Sequence, residues 1–242
     1  MIYKNALEMI GNTRMVRINY MQEKEGVNIF AKLEGDNPGG SIKDRIAYRM
    51  IKEAIDKGEL KEGMTIIEAT SGNTGIALSM IGTILGYDVE IVMSDAVSVE
   101  RRKVIKAYGA KITLTEGKYG TDGAIKKARQ LVRDNPGKYF YPDQYSNEDN
   151  ISAHLKTTAE EIWKQTEGKI THLVSAIGTS GTIMGLSRFL KEKNPDIRIV
   201  CAHPTKGHYI QGLKNMEEAV VPAIYDEGMI DVQIMVESEV AF

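Results

Sequence analysis

A chain of 242 residues with 31 lysines and arginines against 33 aspartates and glutamates carries a formal charge of −2, a balance that offers no basic surface for nucleic acid and no cationic face for an anionic membrane. With 42% hydrophobic and 26% charged residues, it has the composition of a soluble globular protein large enough for one big domain or two small ones. No apolar run approaches a membrane span, and the opening 12 residues lack the apolar core of a secretory signal, so a cytoplasmic protein is expected.

In chain order, strands are expected at 15–18 and 27–31, and a helix from about 42 to 57 that stops near Gly58. A strand at 65–69, a Gly/Ser/Thr loop at 70–75 and a helix at 76–85 follow. Strand 89–93, helix 99–108, strand 110–114 and helix 123–133 continue the alternation. Asn135-Pro136-Gly137 and the polar stretch 144–150 mark a change of domain or a surface connection. A helix at 152–165 carries Leu155, Ala159, Ile162 and Trp163 on one side. Strand 173–177, a second Gly/Ser/Thr loop at 178–182, a helix to Lys193, and strands at 197–202 and 232–236 complete the pattern. Alternating strands and helices argue for parallel sheets covered by helices, an α/β fold. The single cysteine, Cys201, permits no internal disulfide and lies in an apolar run, where a buried structural thiol is expected. His154, His172, His203 and His208 show no metal-ligand spacing, so no metal is expected.

Asn37-Pro38-Gly39-Gly40-Ser41-Ile42-Lys43-Asp44-Arg45 passes from turn residues into a helix, with Ser41 as the expected cap and Asp44 completing a weak capping box. Lys43 then falls in the first helical turn, where the helix dipole disfavours a cation. Two readings stand side by side at this point: a lysine reaching for solvent, or an amine held neutral for Schiff-base chemistry. The loops 70–75 and 178–182 each join a strand to a helix and offer backbone N–H groups and hydroxyls to an anion. Each could equally be a tight turn without a ligand. Neither matches the nucleotide-binding glycine signatures. Taken together, two anion cradles suit ligands with two anionic ends at the C-terminal ends of strands.

The lysine motif, Thr70-Ser71-Gly72-Asn73-Thr74-Gly75, and Gly178-Thr179-Ser180-Gly181-Thr182 together resemble the cysteine synthases, pyridoxal-phosphate enzymes of the tryptophan synthase β group. Ile10-Gly11-Asn12-Thr13 and Asp143-Gln144-Tyr145 fit as well, so the resemblance covers essentially the whole chain. It implies two open parallel-sheet domains with a cofactor cleft between them: a smaller substrate-loop domain at 37–147, and a larger phosphate-cup domain of 1–36 plus 148–242. By the same resemblance, Lys43 forms the Schiff base with pyridoxal phosphate and Asn73 meets the ring hydroxyl. Gly178, Thr179, Ser180, Gly181 and Thr182 hold the phosphate. Thr70, Ser71, Gly72, Thr74 and Gln144 hold the amino acid. The implied reaction is β-replacement or β-elimination on serine-derived amino acids or cysteine, with sulfide or a thiol as second substrate, in a homodimer. A cystathionine β-synthase-like enzyme, or a non-catalytic relative binding a phosphate ligand or a partner peptide, are the alternatives.

Three features depart from that family. Ser180 stands where glycine or threonine is common, and the segment 205–214 differs from the usual pattern near the second-substrate entrance. The family also continues well past Phe242, with a hydroxyl residue facing the cofactor's pyridine nitrogen. A shortened chain is therefore expected, with an incipient helix at 238–242, weaker cofactor binding and a tendency to associate. Asp231, just before strand 232–236, is a candidate general base toward water or a thiol, set against an ordinary solvated or capping aspartate.

Overall fold

A computed structural model describes residues 2–20 and 25–241 of the protein. It consists of two compact units, Met1–Pro142 and Asp143–Phe242.

In the first unit, strands β1 (Met15–Ile18) and β2 (Ile29–Lys32) pair antiparallel, and helix α1 (Lys43–Asp56) follows. Next come β3 (Thr65–Ala69), α2 (Asn73–Leu85), β4 (Asp88–Ser94), α3 (Val99–Ala107), β5 (Lys111–Thr115), α4 (Gly120–Asp134) and the short β6 (Tyr139–Phe140). The strands form one parallel sheet in the order β5-β4-β3-β6. Central strand β4 is buried along nearly its whole length, as a strand covered on both faces must be. Alternation sorts its side chains: Val89, Ile91 and Met93 join a core with α1, α2 and α3, whereas Val92 joins Ala124 and Ala128 of α4 on the other face. The parallel α/β arrangement expected from the strand–helix alternation is the one observed.

The second unit opens with α5 (Glu148–Ala153), a π-helical turn (His154–Thr158) and α6 (Ala159–Gln165). Where the pattern predicts one regular helix, the π turn inserts an extra residue and shifts the buried face. His154 and Thr158 become fully buried, while Leu155 stays half-exposed. Then come β7 (His172–Ala176), α7 (Gly181–Lys193), β8 (Arg198–Pro204) and β9 (Val232–Val236), whose strands form a parallel sheet in the order β7-β8-β9. The incipient helix expected at the end is a 3-10 turn over Ser238–Val240, and Phe242 lies outside the described residues. Cys201 is buried in β8, and burial pushes its thiol up to about 11, an inert group. No helix among the described residues is long and apolar enough to cross a membrane.

Candidate active site

Lys43 is the first residue of α1, as its position after two glycines predicts. The cap differs from the expected box. Ser41 Oγ accepts from the Lys43 N–H at 3.2 Å, but Asp44 turns away and accepts from the Gly39 N–H at 2.5 Å instead. A side chain on Gly39 would collide with that carboxylate, so glycine is required there for space. Burial, resisted by the Gly39 N–H and reinforced by the charge of Glu34, raises Asp44 to about 6.

The lysine helix is tied down by a buried ionic cluster. Arg45 grips Glu34 through Nε at 2.7 Å and Nη2 at 2.8 Å. Thr13 donates to Glu34 at 2.7 Å, Asn37 donates to it at 3.0 Å, and Lys32 donates to Thr13. Burial works against the Glu34 charge, but Arg45, Thr13 and Asn37 outweigh it and hold the carboxyl below its usual value. Lys43 as a residue is only half-buried. Burial of its amine end nevertheless lowers its pKa, against the opposing pull of Glu34. That is the direction a Schiff-base lysine requires, because only the neutral amine is a nucleophile.

In the same unit, the loop between β3 and α2 carries Thr70, Ser71 and Gly72, and α2 begins with Asn73 and Thr74. Thr70 and Thr74 are buried, whereas Ser71 and Gly72 are half-buried and Asn73 is exposed. Thr70 Oγ1 accepts from the Gly72 N–H at 3.2 Å, and Arg101 of α3 donates to the Ser71 carbonyl at 3.0 Å. The loop thus presents a helix N-terminus, the Ser71 hydroxyl and the Asn73 amide. That donor set suits a carboxylate or a phenolic oxygen.

In the second unit, the loop after β7 delivers Gly178, Thr179 and Ser180, and α7 starts at Gly181 and Thr182. Ser180 adopts a left-handed backbone with φ 68°, and its hydroxyl is buried without a hydrogen-bond partner. A buried, unpartnered hydroxyl at the N-terminus of a 13-residue helix, beside the hydroxyls of Thr179 and Thr182, is a donor set of the kind a phosphate dianion takes. The group implied by the resemblance therefore fits the residues present. The backbone of the unusual 205–214 segment lies against this loop: Lys214 N–H donates to the Ile177 carbonyl at 2.9 Å, and a side chain on Gly178 would meet the Gly212 carbonyl at 2.7 Å. Gln144 is buried near the start of this unit, and its carbonyl accepts from Asn150 at 2.8 Å.

Asp231 has a different employment. Its carboxylate pairs with Lys191 of α7 at 2.7 Å and accepts from the Ile199 N–H at 2.6 Å. Hydrogen bonds from Lys191 and Ile199 keep it below the usual carboxylate range. Asp231 precedes β9 and meets the start of β8, whereas loop 178–182 leaves the C-terminal end of β7. In a parallel sheet these are opposite ends, so the general-base expectation finds no support and Asp231 anchors a strand.

Sequence reasoning gave no site role to Asn150 and His154, whose bonds reach the 178–182 loop, to Thr158, which bonds His154, or to Arg101, which donates to loop 70–75. The available signal was polar spacing: 150, 154 and 158 recur every four residues through an otherwise apolar face.

Residues 6–234 match the family described as pyridoxal-phosphate dependent enzyme. A cysteine synthase of Aquifex aeolicus is 50% identical over 99% of this chain and 74% of its own length. The cysteine synthase of Entamoeba histolytica superposes with a TM-score of 0.93 at 43% identity, covering 99% of this chain and 74% of that one. A hydrogen sulfide-producing enzyme of Fusobacterium nucleatum superposes with a TM-score of 0.91 at 40% identity, covering 98% and 82%. The chain belongs to the pyridoxal-phosphate dependent enzymes, within the cysteine synthase family.

Proposed function

We propose that this protein makes cysteine from a serine-derived amino acid and sulfide, or releases sulfide from cysteine, at a centre built on Lys43. The observation that carries the reading is the placement of Lys43 at the head of a helix locked by the Arg45–Glu34 pair, in a chain of the cysteine synthase family. Pyridoxal phosphate supplies the electron sink for the charge that develops at the substrate's α-carbon.

In this reading the chain's own residues do four things. Lys43 Nζ would hold the cofactor and, as a neutral amine, would take the proton from the substrate's α-carbon. Thr70, Ser71, Gly72, Thr74 and Gln144 bind and orient the α-carboxylate, aligning the Cα–H bond for removal. Asn73 donates to the ring hydroxyl. The loop of Gly178, Thr179, Ser180, Gly181 and Thr182 anchors the phosphate. The substrates are small molecules, and a cytoplasmic homodimer is the accompanying reading, supported by kinship alone.

The test is to load the chain with pyridoxal 5′-phosphate and assay two reactions: cysteine formation from an O-acylated serine plus sulfide, and sulfide release from cysteine. Turnover in either direction that Lys43→Ala abolishes supports the proposal. A loaded protein inert in both directions, or a Lys43→Ala variant with normal turnover, contradicts it.

A further inference from the structure

Three polar residues of the second unit occupy one stripe through the α5–π–α6 segment: Asn150, His154 and Thr158, at 1%, 0% and 2% exposure. A buried stripe of this kind is costly unless every donor and acceptor has a use. The stripe faces the 178–182 loop. Asn150 Nδ2 lies 3.1 Å from Thr179 Oγ1, and His154 Nε2 lies 3.1 Å from Thr182 Oγ1.

The direction of each bond follows from what its other neighbours can do. Asn150 also faces the Gln144 carbonyl at 2.8 Å. A carbonyl only accepts, so the atom facing it is the amide nitrogen, and the same NH2 group gives its second hydrogen to Thr179 Oγ1. The Thr179 O–H is then left over. On His154, Nδ1 lies 3.0 Å from Thr158 Oγ1, and among the described residues this nitrogen is the one partner of that buried hydroxyl. If Nδ1 carried the proton, the Thr158 O–H would be buried without an acceptor. Satisfying both groups makes Thr158 the donor, leaves Nδ1 bare and puts the ring proton on Nε2. Nε2–H then donates to Thr182 Oγ1, and the Thr182 O–H is left over as well.

We propose that Asn150, His154 and Thr158 are positioning residues that set the proton polarity of the 178–182 loop, so that Thr179 and Thr182 both present O–H donors to a bound phosphate. With the opposite tautomer, Thr182 would spend its proton on the histidine and turn a lone pair toward the anion. Ser180 needs no such support, because its buried hydroxyl has no competing partner. Asn150 adds a second link: one NH2 group holds both the Gln144 backbone and Thr179. The inference rests on the reading that residues 178–182 hold the cofactor's phosphate.

The test uses the full chain loaded with pyridoxal 5′-phosphate. Nitrogen-15 NMR of histidine-labelled protein should show His154 with the proton on Nε2 and none on Nδ1. A proton on Nδ1 overturns the proposal. Asn150→Asp replaces the donor by an acceptor of the same shape and should lower the affinity for pyridoxal 5′-phosphate about tenfold, the scale of one hydrogen bond to a charged group. Affinity for pyridoxal, which lacks the phosphate, should change less than about twofold in the same variant. An equal loss for both compounds, as a general loosening would give, or no loss for either, overturns the proposal. If the buried charge prevents folding, the tautomer measurement on the unsubstituted protein decides alone. Thr182→Val separates the two levels. A loss confined to the phosphorylated compound supports the underlying reading, and if Asn150→Asp then shows none, the loop keeps its role while the polar stripe loses its own. No loss in Thr182→Val removes the phosphate site and the inference together.

Discussion

The two loops that follow β3 and β7 share one plan, a strand running through a Gly/Ser/Thr turn into a helix of 13 residues, yet they are supported differently. Loop 70–75 is tied to β4 by the Thr70 N–H on the Val92 carbonyl and to α3 by a long side chain, Arg101, on the Ser71 carbonyl, and it leaves Asn73 exposed. Loop 178–182 rests on a fully buried polar stripe, and its Gly181 touches Asn150 so closely that no side chain fits. Long-side-chain support yields as a ligand changes, whereas a packed polar support does not.

Matching substitutions in the two loops would break that comparison most visibly. Gly181→Ala pushes a methyl group into Asn150 and should destabilise the second unit by about 1–3 kcal/mol, the usual range for overpacking, with loss of cofactor retention. Gly72→Ala meets only the tip of Arg101, at 3.9 Å, and should leave both stability and cofactor retention near the parent value. Thermal unfolding with and without cofactor checks the pair, and equal effects in the two loops would refute the difference in support.

Ser71→Ala should weaken amino-acid binding by about 1–3 kcal/mol while leaving cofactor affinity unchanged, as spectroscopic titration with serine or cysteine would show. Weakened cofactor binding instead would mean that loop 70–75 is not the substrate loop.

A smaller effect concerns the turn that delivers Lys43. Asp44 titrates at about 6 in the folded chain, against 3.8 for the ordinary group. The native state therefore binds a proton that the unfolded chain has released. This carboxyl's penalty on folding grows as pH rises from about 4 to about 6 and stays constant above. Asp44→Asn, which never ionises, should gain stability relative to the parent across that window. Urea unfolding at both ends of the window measures it, and a pH-independent difference would contradict the assignment. Smallest of all, Asp231→Asn should cost about 1 kcal/mol or less in stability, from its partly exposed pair with Lys191, with turnover little changed. A large loss of sulfide release with normal stability would restore the general-base reading.

Much of this was legible in the sequence because the chemistry is local. Pro38, Gly39 and Gly40 force a turn before Lys43, and the glycines and hydroxyls of 70–75 and 178–182 declare strand-to-helix loops without reference to any distant residue. The central strands β3, β4 and β8 read as apolar runs because they are covered on both faces. What stayed hidden depends on the actual backbone geometry or on residues far apart in the chain. The Asp44 carboxylate was expected to reach the cap, but Gly39 offers a closer N–H. The four-residue spacing of Asn150, His154 and Thr158 is visible in the sequence, but the π turn that buries His154 and Thr158 is not, because a regular wheel assumes one helical period. Asp231 looked free because its partners, Lys191 and Ile199, lie more than thirty residues away.

Lys43 carries the central claim, and trapping tests it directly. The full chain is incubated with pyridoxal 5′-phosphate, reduced with borohydride, digested and mapped by mass spectrometry. A single phosphopyridoxyl adduct on the peptide containing Lys43 is expected. No adduct, or an adduct that forms on another lysine and persists in Lys43→Ala, would contradict the claim.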